Sequence, residues 1–254
     1  MSKLENPKSQ IINPNSENWF ASWFDTPYYH ILYKDRNYRE AQIFMDNLTH
    51  YLNLPEHAKV LDLACGKGRH SIYLNQLGFT VMGVDLSENS IETANKNAND
   101  TLHFQIHDMR EPFEEQFDAV FNLFTSFGYF DNDEDNLKTL IAIKESLSDY
   151  GFAVIDFMNV PFVLDHLIAE ETKTVDAIDF HLKRYLKDGF IIKEIDFEDK
   201  GQSFHYEEKV RALTLDDFTK MMEEAGIYLL DTFGDYKLKK YYKNTSERLI
   251  MIFK

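Results

Sequence analysis

Residues 59–85 read KVLDLACGKGRHSIYLNQLGFTVMGVD. An apolar run through Val60, Leu61 and Leu63 stops at a turn with two glycines, a helical stretch follows, and a second apolar run stops on Asp85. A strand, a glycine turn, a helix and a second strand ending in an acid form the unit that holds an adenosine-bearing ligand at the edge of a parallel sheet. Gly66 and Gly68 carry no Cβ, so backbone there can approach a ligand and take dihedrals closed to other residues. Asp85, at the carboxyl end of the second strand, is placed to accept hydrogen bonds from both hydroxyls of a ribose.

Spacing then separates the ligands. A dinucleotide fingerprint needs a third small residue of the glycine class three positions after the second glycine, and Ser71 stands there. A phosphate-cradling loop of the GK[ST] type is excluded because Gly68 follows Lys67. What remains is Asp62-Leu63-Ala64-Cys65-Gly66-Lys67-Gly68, a hydrophobic-Asp-x-x-x-Gly-x-Gly pattern. This resembles the first motif of the class I S-adenosylmethionine (SAM)-dependent methyltransferases, small-molecule type. SAM has no pyrophosphate, so close backbone packing against its amino-acid portion matters more than a helix end primed for phosphate. The bland alternative is an ordinary glycine-bearing βα turn.

Composition bounds the rest. The 254 residues suffice for one buried core, with 44% hydrophobic and 15% aromatic residues. No apolar run reaches membrane-spanning length and MSKLENPKSQ has no apolar signal segment, so no membrane is expected as a partner. A single cysteine, Cys65, forms neither an internal disulfide nor a cysteine-based zinc site, which points to the cytoplasm. The formal charge of −16 disfavours nucleic acid, despite the short basic cluster Lys239, Lys240 and Lys243. No HExxH or Cys pair is present, and no metal is expected; the acids from Asp131 to Asp135 read as a helix N-terminus.

Along the chain, residues 1–16 are polar, and residues 17–54 form an aromatic segment whose later part, 39–52, has helical spacing through Ile43, Phe44, Leu48 and Tyr51. Beyond the opening unit, Ser87 caps a helix to about Asn97, strands fall at 102–106 and 117–124, a helix at 133–147 and a strand at 151–157. Residues 172–213 alternate like an antiparallel meander with turns at Asp188-Gly189 and Lys200-Gly201. Thr214 caps a helix stopped by Gly226, and 227–233 and 248–253 close the chain as strands. The expected fold is α/β: a doubly wound, seven-stranded, mostly parallel sheet (Rossmann-like) with an inserted antiparallel β-meander, all one domain over 1–254. The resemblance covers Val60 to Asp156 and the closing elements, including Ser246 to Ile250; it implies that the last strand runs antiparallel. The meander matches only in kind and, on this resemblance, caps the acceptor pocket.

Ligands of open α/β sheets lie beyond the carboxyl ends of the strands. The candidate cofactor residues are therefore Asp62, Ala64, Cys65, Gly66 and Gly68 from the first strand and turn, and Asp85 with Leu86 from the second. The resemblance adds Asp108 and Met109, an acid and a backbone N–H for adenine, and Asn122 with Leu123 beneath the methionine portion. The competing readings are a cap for Asp108 and a satisfied strand-end amide for Asn122. Arg69 either approaches the cofactor carboxylate or covers the first helical turn. On the same resemblance Tyr33, with Tyr28 and Tyr29 behind it, folds over the sulfonium; the competing reading is packing on the core. Methyl transfer needs alignment more than a base, so the catalytic residues are left unassigned, with Tyr129, Asp131, His181 and His205 as bases to consider. The resemblance implies a SAM-dependent methyltransferase acting on a small-molecule acceptor. The alternatives are a SAM-binding sensor or partner subunit without turnover, and a nicotinamide oxidoreductase.

Overall fold

The computed structural model describes residues 10–11, 23–34 and 38–254. Most of the polar segment 1–16, with Trp19 and Phe20, lies outside the described residues. In chain order the elements begin with β1 (Gln10–Ile11), α1 (Pro27–Leu32), α2 (Tyr38–Tyr51), β2 (Lys59–Leu63), α3 (Arg69–Gln76), β3 (Thr80–Asp85), α4 (Glu88–Asn95), β4 (Leu102–Ile106) and β5 (Phe117–Asn122). They continue with α5 (Asp133–Glu145), β6 (Leu147–Met158), α6 (Val160–Asp165), β7 (Glu170–Val175), β8 (Ile178–Lys187), β9 (Phe190–Asp199), β10 (Gln202–Arg211), α7 (Leu215–Glu224), β11 (Leu229–Phe233) and β12 (Arg248–Phe253). Contacts divide them into two compact units, residues 37–165 with 212–254, and residues up to 36 with 166–211. The segment 17–54 is also divided, its described aromatic part going with the second unit and α2 with the first.

The larger unit is a seven-stranded sheet in the order β11-β12-β6-β5-β2-β3-β4. Neighbours from β6 to β4 run parallel, and β12 runs antiparallel to both β6 and β11, as expected. Since β2 lies between β3 and β5, the strand order reverses there, which puts a ligand crevice at the ends of β2 and β5. The apolar stripe of α2 buries Phe44, Met45 and Leu48 in one core with Val60, Val81, Phe121 and Ile250. Caps follow the sequence: Ser87 accepts from Ser90 N–H, and Thr214 forms a capping box with Asp217. Helix α5 is capped by Asn132, one residue ahead of the acids.

Strand β6 starts four residues earlier than expected. The Asp149-Tyr150 stretch stays in the strand because a register shift between Phe117 and Ala119 absorbs the extra residues. Gly151 makes the shift fit, since a Cβ there would lie 2.7 Å from the Phe117 carbonyl oxygen. Among the described residues no helix is long and apolar enough to cross a membrane.

The smaller unit is a five-stranded sheet in the order β1-β10-β9-β8-β7. Strands β7 to β10 form the expected meander, β7 extends it at the front, and β1 pairs parallel to β10. All three hairpin loops have two residues with positive φ at both, Asp176-Ala177, Asp188-Gly189 and Lys200-Gly201, the pattern whose twist suits tight hairpins. Phe197 stacks on Phe204 at 5.0 Å, and the rings of Tyr28 and Trp23 pack on Phe197 and Tyr206 at 4.6 and 4.4 Å. The early part of the aromatic segment was expected to pack on a core or to cover a ligand; its Trp23 and Tyr28 rings pack on this sheet.

Candidate functional site

The turn after β2 is shaped by three consecutive alternations into left-handed backbone, with φ of +60° at Ala64, +55° at Gly66 and +77° at Gly68. Cys65 N–H donates to Val84 O at 2.9 Å, and Gly68 N–H returns to Cys65 O at 3.0 Å. A Cβ at Gly68 would lie 2.5 Å from Phe104 Cε1, and one at Gly83 2.6 Å from the same ring. Phe104 thus fills the room that two glycines leave. A Cβ added at Gly66 would meet no atom within 4 Å, which is the cradle a ligand-facing glycine makes.

Asp62 supports this turn from behind. It is 2% exposed and accepts from Ser71 Oγ at 2.6 Å. Burial pushes its carboxyl up to about 7, with the nearby Asp85 adding to the rise and Ser71 opposing it. Ser71, the residue that spoils the dinucleotide pattern, is fully buried as this acid's donor. Burial also pushes the Cys65 thiol up, so Cys65 serves by its small size and not as a thiolate.

The raised Asp62 value has a consequence for stability. The group binds its proton more tightly folded than unfolded, so its stabilisation is complete below about pH 4 and lost as pH rises toward 7. Wild type should therefore lose about 2–3 kcal/mol relative to Asp62→Asn between pH 5 and pH 8. Urea midpoints of both proteins at the two pH values check this; parallel profiles would rule it out.

Asp85 binds the turn to the next helix. Its Oδ2 accepts from Gly66 N–H at 2.8 Å and its Oδ1 from Ser87 N–H at 2.9 Å. Leu86 beside it is half-buried. At the end of β4, Asp108 is gripped by Arg110, whose Nη2 donates to Oδ2 at 2.6 Å and Nε to Oδ1 at 3.1 Å. Asp108 Oδ1 also caps a short turn by accepting from Arg110 N–H at 3.0 Å. Burial raises the Asp108 carboxyl, but the Arg110 hydrogen bonds more than reverse this and leave it below its ordinary value. Arg110 continues through Nη1 to Asp135 Oδ2 at 3.0 Å. Met109, between the two, is half-buried.

At the end of β5, Leu123 and Asn122 are both buried. Asn122 Nδ2 faces two carbonyl oxygens, Ser126 O at 3.2 Å and Leu63 O at 3.5 Å. That fixes the amide's orientation and leaves Oδ1 buried without a donor. Leaving such a group unmet costs about 1–3 kcal/mol, and Asn136 Oδ1 on α5 is likewise buried without a donor. Phe124 and Thr125 follow with φ of +57° and +63°, two successive non-glycine residues in a conformation that costs about 1–3 kcal/mol each. Asp156 and Arg248 stand behind them. Arg248 Nε donates to Asp156 Oδ1 at 2.8 Å and its Nη2 to Thr125 Oγ1 at 2.9 Å.

Arg69 turns toward its neighbours. Its Nε and Nη2 lie 3.1 and 2.8 Å from His70 Nε2, which makes that nitrogen the acceptor and His70 the Nδ1–H tautomer. Its guanidinium carbon lies 4.9 Å from the Tyr38 ring centre.

The structure gives Tyr33 other partners than those expected. Its hydroxyl lies 2.7 Å from Glu208 Oε1 and also meets Lys193 Nζ, within the five-stranded unit. Trp23 Nε1 donates to the same carboxylate at 2.8 Å. Three of the four base candidates have hydrogen-bond partners: Tyr129 donates to Thr125 O at 2.6 Å, His181 meets Thr172, and His205 meets Asp196 at 2.7 Å. Among the described residues no group of three His, Cys, Asp or Glu is placed to hold a metal ion. Two features escaped the sequence reading: the Asp156–Arg248 pair, and Arg110, whose position two residues after Asp108 was the available signal.

Over residues 54–247 the chain matches the family described as methyltransferase domain. A glycine/sarcosine N-methyltransferase of Aphanothece halophytica is 27% identical, over 95% of this chain and 90% of the relative. An S-adenosylmethionine-dependent methyltransferase structure from Clostridium acetobutylicum is similar with a TM-score of 0.75 at 22% identity, covering 93% of this chain and 98% of that one. The SAM-bound structure of CalS10, an amino pentose methyltransferase from Micromonospora echinaspora, gives 0.70 at 16%, covering 90% and 96%. At these identities the structural likeness is one of fold.

Proposed function

Because the chain belongs to the methyltransferase-domain family and is a SAM-dependent methyltransferase, we propose that it methylates the nitrogen of a small amine-bearing molecule. The observation that carries the proposed site is the buried Asn122 Oδ1 without a donor at the β2/β5 switch. In this reading Asp85, already accepting from Gly66 and Ser87, would take the ribose hydroxyls. The Ala64–Gly68 backbone would line the methionine portion, with Asn122 Oδ1 as acceptor for its ammonium group. Asp108, kept ionised by Arg110, would accept from the adenine amino group, and Leu86, Met109 and Leu123 would supply apolar contact.

Bound SAM would supply a methyl group already activated on a sulfonium sulfur. The residues here need only hold the partners in line and exclude water. A neutral amine brings its own lone pair, which agrees with the absence of an assigned base.

A nitrogen acceptor is supported by likeness, along nearly the whole chain, to a protein named for glycine and sarcosine N-methylation. The net charge of −16 argues against phosphate-rich acceptors. Incubation with methyl-labelled SAM and a panel of glycine, sarcosine and amino sugars, beside hydroxyl- and thiol-only analogues, tests the reading. Label should enter the amines; label confined to oxygen or sulfur acceptors would overturn it.

A further inference from the structure

The turn that follows Asn122 is held from outside as well as by its own Ser126 Oγ–Leu123 O bond at 2.8 Å. Phe124 N–H donates to Asp156 Oδ2 at 2.8 Å, and Thr125 N–H to Asp156 O at 2.9 Å. Thr125 receives Arg248 Nη2 on its hydroxyl, and its carbonyl accepts from Tyr129. Asp156 and Arg248 come from the adjacent antiparallel strands β6 and β12, whose register pairs Asp156 with Ile250 and Met158 with Arg248. So the last strand of the chain fixes a left-handed dipeptide at the end of β5. That dipeptide aims the Phe124 ring, which stacks on His70 at 4.6 Å and 18°. Asn122 depends on the same turn, because its Nδ2 is anchored on Ser126 O.

We propose that Arg248 is a positioning residue for cofactor binding: acting through Asp156 and Thr125, it holds the strained Phe124–Thr125 turn that presents Asn122 Oδ1 and the Phe124 ring to the β2/β5 switch. The proposal rests on the reading of that switch as the SAM site. It assigns to the final strand a part in binding in addition to closing the sheet. The planar fork of arginine is what the geometry uses, Nε on Asp156 and Nη2 on Thr125, and a lysine offers a single point instead.

The test is calorimetric titration of S-adenosylhomocysteine into the full chain and four variants, with thermal midpoints measured alongside. Arg248→Lys keeps a cation beside Asp156 but loses the fork, and should bind about tenfold more weakly. Thr125→Val keeps the side-chain shape and the backbone strain but loses the hydroxyl, and should weaken binding by about fivefold or more. Thr125→Gly also loses the hydroxyl but takes positive φ freely, and should stay within about threefold of wild type. A purely structural role would lower midpoints and leave these affinities alone. Wild-type affinity in either Arg248→Lys or Thr125→Val overturns the proposal. So does a Thr125→Gly protein as weak as Thr125→Val, since the hydroxyl and not the held backbone would then matter. Asp85→Ala is the fourth variant: weakened binding there with Arg248→Lys unchanged sinks this proposal alone, while unchanged affinity in both sinks the cofactor reading as well.

Discussion

Asp85→Ala is expected to weaken SAM binding by about tenfold to a hundredfold, the range that one or two hydrogen bonds to a charged group supply. The side chain has two duties that reinforce each other. It offers lone pairs to a ribose, and it already fastens Gly66 N–H and Ser87 N–H, at 2.8 and 2.9 Å. Removing it frees two backbone donors and loosens the glycine turn that would pack on the methionine portion. Asp85→Asn separates the duties: an amide oxygen can keep one backbone donor, but the charge is gone, so its affinity should fall between the other two. Calorimetric titration decides the matter. Affinity within twofold of wild type in the alanine variant would remove the second strand from the site.

The other large effect concerns stability. Asp156→Ala leaves Arg248, 19% exposed, without its carboxylate and Phe124 N–H without its acceptor. Breaking such a pair on one side costs about 3–5 kcal/mol, because the surviving, largely buried charge loses its carboxylate and keeps only the Thr125 hydroxyl. Replacing both members is far milder, so Asp156→Ala combined with Arg248→Met should be less destabilised than the sum of the two single variants by more than about 2 kcal/mol. Urea unfolding of the four proteins gives the coupling. Additive losses would show that the pair contributes no interaction of its own.

How much could be read in advance depended on whether the cause was local. Asp188-Gly189 and Lys200-Gly201 announced two hairpins because glycine advertises positive φ, while the third, Asp176-Ala177, adopts the same backbone without a glycine and was passed over. The β2–α3–β3 unit was legible because its acid, glycines and apolar runs lie within 27 consecutive residues. Asp156 and Arg248 stand 92 positions apart and meet only because β12 turns back antiparallel onto β6. Nothing in their neighbourhoods signals the meeting. Phe124 and Thr125 were unreadable for a related reason: their backbone is imposed by that distant pair against the preference of both residues. For Tyr33 the sequence offers only its place upstream of β2; its partner Glu208 comes 175 residues later, on a strand whose register only the fold reveals.

The five-stranded unit takes its chain from two widely separated stretches, and this bears on how the protein is made. Trp23 and Tyr28 leave the ribosome long before Phe197, Phe204 and Tyr206, the rings against which they come to rest. At about 5–20 residues per second, the intervening stretch of roughly 180 residues takes on the order of 10–35 s to synthesise. For that interval the early aromatics have no strand to lie on, while β2 to β5 are already available to pair. Four strands of the seven-stranded sheet, β2 to β5, thus have a head start of many seconds although β11 and β12 come last, and the nascent aromatic segment is the stretch on which a chaperone would find exposed rings.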